Sequence, residues 1–194
     1  GVMGFEQEWL RYWPASSTEG MNVLLFVDPA SSKKRSADYT TMGVIGLGRD
    51  RNFYFIDGLR EKLSLRERTE KLFLLTEQYS PMGVYYEKYG KDSDIEHIEE
   101  EMDRRNYRFP IEEVGGSMAK VERINRLQPD LEVGRWYFPQ VMYKTNAAGE
   151  SYDLMYEFIH KEYVEWPFPS HDDFLDMISR IYDVPLLWPD KNGF

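Results

Sequence analysis

The chain has 194 residues, of which 42% are hydrophobic and 30% are charged, and this balance fits one globular domain with a small appendage. It contains no cysteine, which excludes disulfides, thiolate catalysis and zinc sites built from cysteine. Its formal net charge of −10, taken alone, argues against a nucleic-acid partner, because phosphate binding needs local positive charge.

Residues 1–20 are interpreted as a short helix or linker that packs on the main domain, which we expect to cover residues 21–194. They carry Trp9, Tyr12 and Trp13. The opening residues 1–4 lack a signal-peptide pattern and are expected to be a remnant of cloning, so that this is a piece of a longer protein. No apolar run reaches the length of a membrane span, and no membrane partner is expected.

Three strands are predicted at the start of the domain. The apolar run Val23–Val27 is typical of a strand buried on both faces, and it ends at Asp28. Thr41–Leu47 and Asn52–Leu59 are predicted to form a hairpin around the turn Gly48–Arg51.

Helices and strands alternate in the rest of the chain. A capping box at Ser64 and Glu67 predicts the start of a helix that Pro81 ends. The later predicted elements are a strand at Gly83–Glu87, a helix at Asp94–Tyr107, a strand at Ile111–Val114, a helix at Met118–Leu127, an extended piece at Trp136–Pro139, a helix marked by Tyr152, Tyr156, Ile159 and Tyr163, and a last helix from Ser170 to about Asp183. Three antiparallel strands followed by parallel strands reached through helices predict an α/β protein with a mixed central sheet flanked by helices, the order found in ribonuclease H-like folds.

Acidic residues occupy the ends of predicted elements that meet at one edge of this sheet. Asp28 and Glu87 end neighbouring strands, and Asp172, Asp173 and Asp176 share one side of the last helix, next to its apolar face. Clustered carboxylates repel one another unless a cation neutralises them, and oxygen ligands suit Mg²⁺ or Mn²⁺. Two such ions roughly 4 Å apart can promote hydrolysis of a phosphodiester.

Each acid also has an ordinary explanation when it is taken singly. An Asp before a Pro is typical of turns, a Glu after a strand is typical of solvated surface, and acids in the first turn of a helix stabilise its dipole. The joint placement of these acids is what favours a metal site.

Several motifs together resemble the C-terminal nuclease domain of the large terminase subunit of tailed double-stranded DNA bacteriophages, over roughly residues 21–183. They are Val27–Ala30 with Asp38–Thr40, Val84–Glu87, Met118–Ile124 leading to Leu131–Gly134 and Tyr137–Pro139, and His171–Asp176. The resemblance implies a ribonuclease H-like fold. It also implies a two-metal endonuclease, using Mg²⁺ or Mn²⁺, that cuts concatemeric viral DNA during genome packaging.

The same resemblance assigns roles to the acids. Asp28 is matched to the ligand that bridges the metals, Glu87 to the second ligand, and either Asp172 or Asp173 to the third. Asp176 matches an additional acid of related resolvase-like nucleases. The choice between Asp172 and Asp173 stays open.

Partners and location are likewise implied by the resemblance. The expected substrate is double-stranded DNA, and the expected partners are an N-terminal packaging ATPase domain, the small terminase subunit and the portal protein. The ATPase is absent here, because the sequence has no phosphate-binding loop. The implied location is the host cell cytoplasm, transiently at the portal of the viral procapsid.

The basic residues are clustered despite the negative net charge. The groups are Lys33, Lys34 and Arg35 in a loop, Arg49 and Arg51 at the hairpin turn, and Lys120, Arg123 and Arg126 on one helix. We expect them to flank the acidic site and hold the DNA backbone without reading bases. Ordinary surface charge is the alternative for any one of them.

Two other functions fit the same residues. The chain could be a catalytically silent ribonuclease H-like docking module of a packaging machine, or a nuclease similar to Holliday-junction resolvases. Metal preference, DNA specificity, oligomeric state and the source virus do not follow from the sequence.

Overall fold

A computed structural model describes residues 4–30, 39–88 and 93–191 of the chain. Its strands are β1 (Arg11–Tyr12), β2 (Asn22–Asp28), β3 (Thr40–Leu47), β4 (Phe53–Glu61), β5 (Gly83–Glu87), β6 (Ile111–Val114), β7 (Trp136–Phe138), β8 (Tyr143–Thr145) and β9 (Ser151–Asp153). Seven of them form one sheet in the order β1-β7-β4-β3-β2-β5-β6, and β8 pairs with β9.

The α-helices are α1 (Leu65–Tyr79), α2 (Ser93–Arg105), α3 (Lys120–Asn125), α4 (Gln128–Glu132), α5 (Leu154–Phe158) and α6 (Asp173–Ser179). A π-helical turn, Ile159–Tyr163, follows α5, and 3₁₀ turns lie at Gln7–Trp9 and Arg180–Asp183. None of the helices in the described ranges is long and apolar enough to cross a membrane.

The sheet is mixed, as the sequence predicts. Strands β2, β3 and β4 are antiparallel neighbours, and β5 and β6 continue in parallel from β2. On the other side, β7 and β1 add in parallel to β4. The predicted capping box of α1 is present, with Ser64 accepting from the Glu67 amide and Glu67 accepting from the Ser64 amide.

The alternation of side chains along β2 divides the core between the two faces of the sheet. Leu25 and Val27 pack with α1 and α2, whereas Leu24 and Phe26 pack with α6. Because side chains two residues apart share a face, Asp28 continues the face that α6 covers.

Three features differ from the predicted elements. Tyr152 lies in β9, and the helix begins only at Leu154, where the Asp153 side chain accepts the Met155 amide. The last helix begins at Asp173, not near Ser170. The segment before residue 21 contributes β1 and buries Phe5 in the main core.

Candidate active site

Three acidic side chains converge where β2 and β5 end beneath α6. Asp28 ends β2, Glu87 ends β5 and Asp176 lies in α6; they are 6%, 3% and 2% exposed. One carboxylate oxygen of each lies within 4.8 Å of the other two. Three buried carboxylates at this spacing form a pocket of oxygen ligands.

The sheet register explains why the two strand-end acids meet. Val27 pairs with Tyr86 across the parallel strands β2 and β5, so the next residues, Asp28 and Glu87, end these strands at the same level. The third acid is added by α6, whose Phe174 and Met177 are buried in the core on this face of the sheet.

The electrostatics of Asp28 show that the cluster is crowded with negative charge. Burial raises the pKa of Asp28 well above its usual range, and Glu87 adds to this effect, followed by Asp176 and Asp173. The Ala30 amide, which donates to Asp28 Oδ1 at 3.2 Å, acts in the opposite direction. A cation placed among these groups would relieve the repulsion.

Two buried arginines partly balance the acids. Arg123 donates from Nε to Asp176 Oδ1 at 2.7 Å and from Nη2 to Oδ2 at 2.9 Å. Arg180 donates from Nη2 to Glu87 Oε1 at 2.6 Å and from Nη1 to Asp183 Oδ2 at 3.0 Å. The hydrogen bond to Asp176 also raises the pKa of Arg123. These contacts fix the orientation of two of the three carboxylates.

Buried oxygens without hydrogen-bond partners indicate that the cluster fits a divalent metal ion. Among the described residues, several buried polar side-chain atoms have no hydrogen-bond partner, and two of them are the oxygens Glu87 Oε2 and Thr41 Oγ1. Thr41 is directly opposite Asp28 across β2 and β3. Buried polar groups are normally paired, so these oxygens are suited to bind a cation, and an all-oxygen set matches Mg²⁺ or Mn²⁺.

The two acids predicted as alternatives for the third ligand lie farther out. Asp172 is the N-cap residue of α6 and pairs with Lys120, 3.2 Å from Nζ to Oδ1. Asp173 lies 3.5 Å from Arg60 Nη2, and burial raises its pKa although Arg60 opposes the shift. The described structure therefore brings Asp176, and neither Asp172 nor Asp173, into the group of three with Asp28 and Glu87.

The basic residues in α3 and at its C-terminal end pair with acids in α6 or next to its two ends. Lys120 pairs with Asp172, Arg123 with Asp176, and Arg126 with Asp183. Arg123 is 7% exposed, so its predicted place on a DNA-binding surface is wrong. Its side chain holds an acid of the cluster instead.

The hairpin arginines do not flank the cluster. Asp28 pairs with Thr41 at the start of β3, whereas Arg49 and Arg51 follow the other end of that strand. An eight-residue strand places these ends more than roughly 20 Å apart. The predicted position of the hairpin beside the acids is therefore wrong. Lys33, Lys34 and Arg35 lie outside the described residues.

Three further side chains belong to the site, although the sequence patterns do not single them out. Arg180 follows Asp176 by four residues, a helical spacing that places both on one side and could have indicated it. Arg60 pairs with Thr41 at the same sheet edge as Asp28. Glu162 accepts the amides of Phe174 and Leu175 from a distant part of the chain, and no local pattern indicates such a contact.

Comparison with solved structures finds the same architecture in viral terminases. The large terminase nuclease of thermophilic phage G20c with bound magnesium is 17% identical, with a TM-score of 0.55 over 91% of this chain and 93% of that chain. The large terminase nuclease domain of Thermus phage P74-26 is 16% identical, with a TM-score of 0.54 over 96% and 95%. The human cytomegalovirus terminase nuclease domain, soaked with manganese and bound to an inhibitor, is 10% identical, with a TM-score of 0.61 over 92% and 94%.

The chain has the ribonuclease H-like fold of these nuclease domains. No protein-family model matches the sequence, and no curated protein matches it. The resemblance to large terminase nuclease domains and the fold class expected from the motifs are thus confirmed by structural similarity.

Proposed function

We propose that this chain is a metal-dependent DNA endonuclease that cuts concatemeric viral double-stranded DNA during genome packaging. The observation that carries the proposal is the buried group of Asp28, Glu87 and Asp176 at the edge of a ribonuclease H-like sheet. The similarity to terminase nucleases, one with bound magnesium and one soaked with manganese, supports the same function.

In this proposal the three clustered carboxylates hold two Mg²⁺ or Mn²⁺ ions, with Asp172 or Asp173 as a further ligand at the rim. Such ions, when bound, supply a more acidic water and electrostatic stabilisation of the phosphodiester transition state. The protein contributes fixed oxygen ligands, because Asp28, Glu87 and Asp176 are buried. Arg123 and Arg180 keep Asp176 and Glu87 oriented toward Asp28.

DNA binding by a chain of net charge −10 needs local neutralisation of the acids. Part of the negative charge lies in the carboxylate cluster, where cations would offset it. Of the predicted DNA contacts, Lys120 is half-exposed beside Asp172, at the start of α6, and stays a candidate contact to the backbone together with Lys33, Lys34 and Arg35. We expect binding by the isolated chain to be weak, metal-assisted and salt-sensitive.

The wider setting is part of the proposal. A packaging ATPase domain on the same polypeptide, the small terminase subunit and the portal protein would bring the DNA to this site. The reaction would take place in the host cytoplasm, at the procapsid portal. These partners would also supply DNA contacts that the isolated chain lacks.

A plasmid assay tests the proposed activity. Supercoiled plasmid is incubated with the chain in Mn²⁺, in Mg²⁺ or in EDTA, and the expected result is nicking and linearisation with metal and none with EDTA. An intact plasmid in both metals would favour a silent docking module. Inhibition by a four-way junction competitor far beyond that by linear duplex of equal length would favour a resolvase-like nuclease.

A further inference from the structure

Glu162 is a buried acid that contacts the helix carrying Asp176 from another part of the chain. It lies in the π-helical turn Ile159–Tyr163 and is 1% exposed. Its Oε1 accepts the amides of Phe174 at 3.0 Å and Leu175 at 3.1 Å. These are the second and third residues of α6, whose amides have no partner within the helix.

The helix lacks the cap that its own sequence offers. Asp172 occupies the N-cap position, but its side chain makes no capping hydrogen bond. An N-cap side chain ordinarily accepts from the second or third amide of the helix. Glu162 therefore supplies the capping acceptor that Asp172 does not supply.

Arg60 connects this cap to the strand edge of the active site. Its Nε lies 3.7 Å from Glu162 Oε2, and its guanidinium group stacks 3.7 Å from the centre of the Tyr39 ring. Arg60 is paired with Thr41, which in turn is opposite Asp28. The cap is thus tied to the same edge of the sheet that presents Asp28.

Helix α6 is held by the packing of its apolar side chains in the core, and the Glu162 cap adds a contact to its first turn. The helix is seven residues long, and short helices depend on external contacts for their stability. Asp176 lies one turn beyond Phe174 and Leu175. A shift at the capped end would therefore move Asp176 relative to Asp28 and Glu87.

We propose that Glu162, which lies 3.7 Å from Arg60, is a positioning residue that fixes the start of α6 and thereby keeps Asp176 in register with Asp28 and Glu87 for metal binding. The expected effect on metal binding rests on the proposed function. The cap itself is a feature of the fold that can be measured without any nuclease assay.

The test compares three variants of the chain. Glu162→Leu removes the acceptor, Glu162→Gln keeps an oxygen at the same position, and Glu157→Leu is the matched control. Glu157 also contacts Arg60, 3.5 Å from Nη1, but does not contact α6 amides in the described structure. Hydrogen exchange of the Phe174 and Leu175 amides, followed by NMR, reads out the cap, and Mn²⁺ titration calorimetry reads out the site.

We expect Glu162→Leu to speed exchange of both amides about 10-fold and to weaken Mn²⁺ binding about 10-fold, the range seen when groups supporting metal ligands are removed. Glu162→Gln and Glu157→Leu should leave both readouts near wild type. Unchanged exchange in Glu162→Leu would overturn the cap. Faster exchange with unchanged Mn²⁺ affinity would overturn the positioning role.

A double variant covers the case in which Glu162→Leu does not fold because Arg60 has lost a partner. Glu162→Leu with Arg60→Met replaces the buried pair by apolar groups, an exchange that folds tolerate. The double variant should fold and should bind Mn²⁺ about 10-fold more weakly than wild type. Wild-type affinity in the double variant would contradict the proposal. A wild-type chain that binds no Mn²⁺ would instead remove the proposed function.

Discussion

Arg123 and Asp176 are joined by two hydrogen bonds in the interior of the protein, of 2.7 Å and 2.9 Å. The pair links α3 to α6 at the acidic cluster. Both partners are buried, at 7% and 2% exposure, so neither can turn to solvent if the other is removed.

Replacement of this arginine should destabilise the protein in a metal-dependent manner. In EDTA, Arg123→Met should lower the free energy of unfolding by about 3 kcal/mol, because an unpaired carboxylate remains buried beside two others. Mn²⁺ should recover much of the loss by taking over the neutralisation. Urea denaturation with and without Mn²⁺ measures both effects.

Arg126→Met is the matched control, since Arg126 lies next to the same helix and pairs with the partly exposed Asp183. Its loss should be about 1 kcal/mol or less and independent of Mn²⁺. An equal decrease in the free energy of unfolding in the two variants would contradict the assigned role of Arg123. A decrease in Arg123→Met that does not depend on Mn²⁺ would contradict it as well.

The third acidic ligand can be identified by comparing substitutions along α6. Asp176→Asn should weaken Mn²⁺ binding by at least about 10-fold, because Asp176 shares the pocket with Asp28 and Glu87. Asp172→Asn should have a smaller effect, because that carboxylate pairs with Lys120 at the surface. Titration calorimetry decides the order, and the reverse order would move the metal site toward the start of the helix.

The two groups of basic residues should differ in their effect on DNA. Ala30 and Tyr39, which border the segment carrying Lys33, Lys34 and Arg35, lie at the Asp28 end of the sheet, and Arg49 and Arg51 lie at the other end. Charge reversal of the first group should slow plasmid cleavage and flatten its salt dependence. Reversal of Arg49 and Arg51 should change neither, and equal effects would disprove this arrangement.

The stability of the protein should depend on the protonation of Glu162. Burial raises the pKa of Glu162 from 4.5 to about 8. At pH values between 4.5 and 8, folded Glu162 retains a proton that the unfolded chain releases. The stabilisation of the folded state by protonated Glu162 is therefore fully present below pH 4.5 and is lost as the pH rises through 8.

Comparison with Glu162→Gln isolates that contribution. We subtract the free energy of unfolding of Glu162→Gln from that of wild type, both measured in EDTA. This difference should decrease by about a few kcal/mol between pH 5 and pH 8. Urea denaturation at several pH values measures the difference. A constant difference across this range would show that Glu162 titrates normally.

The sequence predicts the parts of the site that depend on strand order. Val23–Val27 is apolar enough to mark a central strand, and Gly83–Glu87 follows α1 as a parallel neighbour, so strand order alone places Asp28 and Glu87 together. The helical spacing places Asp172, Asp173 and Asp176 together on one side of the last helix, but it does not single out Asp176 as the acid that joins them. These inferences use only local pattern and the rules of sheet connection.

The remaining parts depend on packing between distant segments. Arg123 has the sequence context of a surface residue, and only the packing of α3 against α6 buries it. The predicted start of α6 is wrong because its amides are capped by Glu162, which is 12 residues away from Phe174 in sequence. Tyr152 fits a helical pattern in the sequence, but it lies in β9. Its hydroxyl donates a hydrogen bond to Glu61 at 2.7 Å, and no local sequence pattern predicts that contact.

The most direct test of the central claim is plasmid cleavage by Asp28→Asn in Mn²⁺, beside wild type and Asp57→Asn. Asp57 is a buried acid of the same sheet whose carboxylate bonds Tyr79 at 2.6 Å and pairs with Lys144, away from the cluster. With all three proteins shown to be folded, wild type and Asp57→Asn should cleave, and Asp28→Asn should be at least about 1000-fold slower, a loss of about 4 kcal/mol of transition-state stabilisation. Cleavage by Asp28→Asn at the wild-type rate would contradict the account.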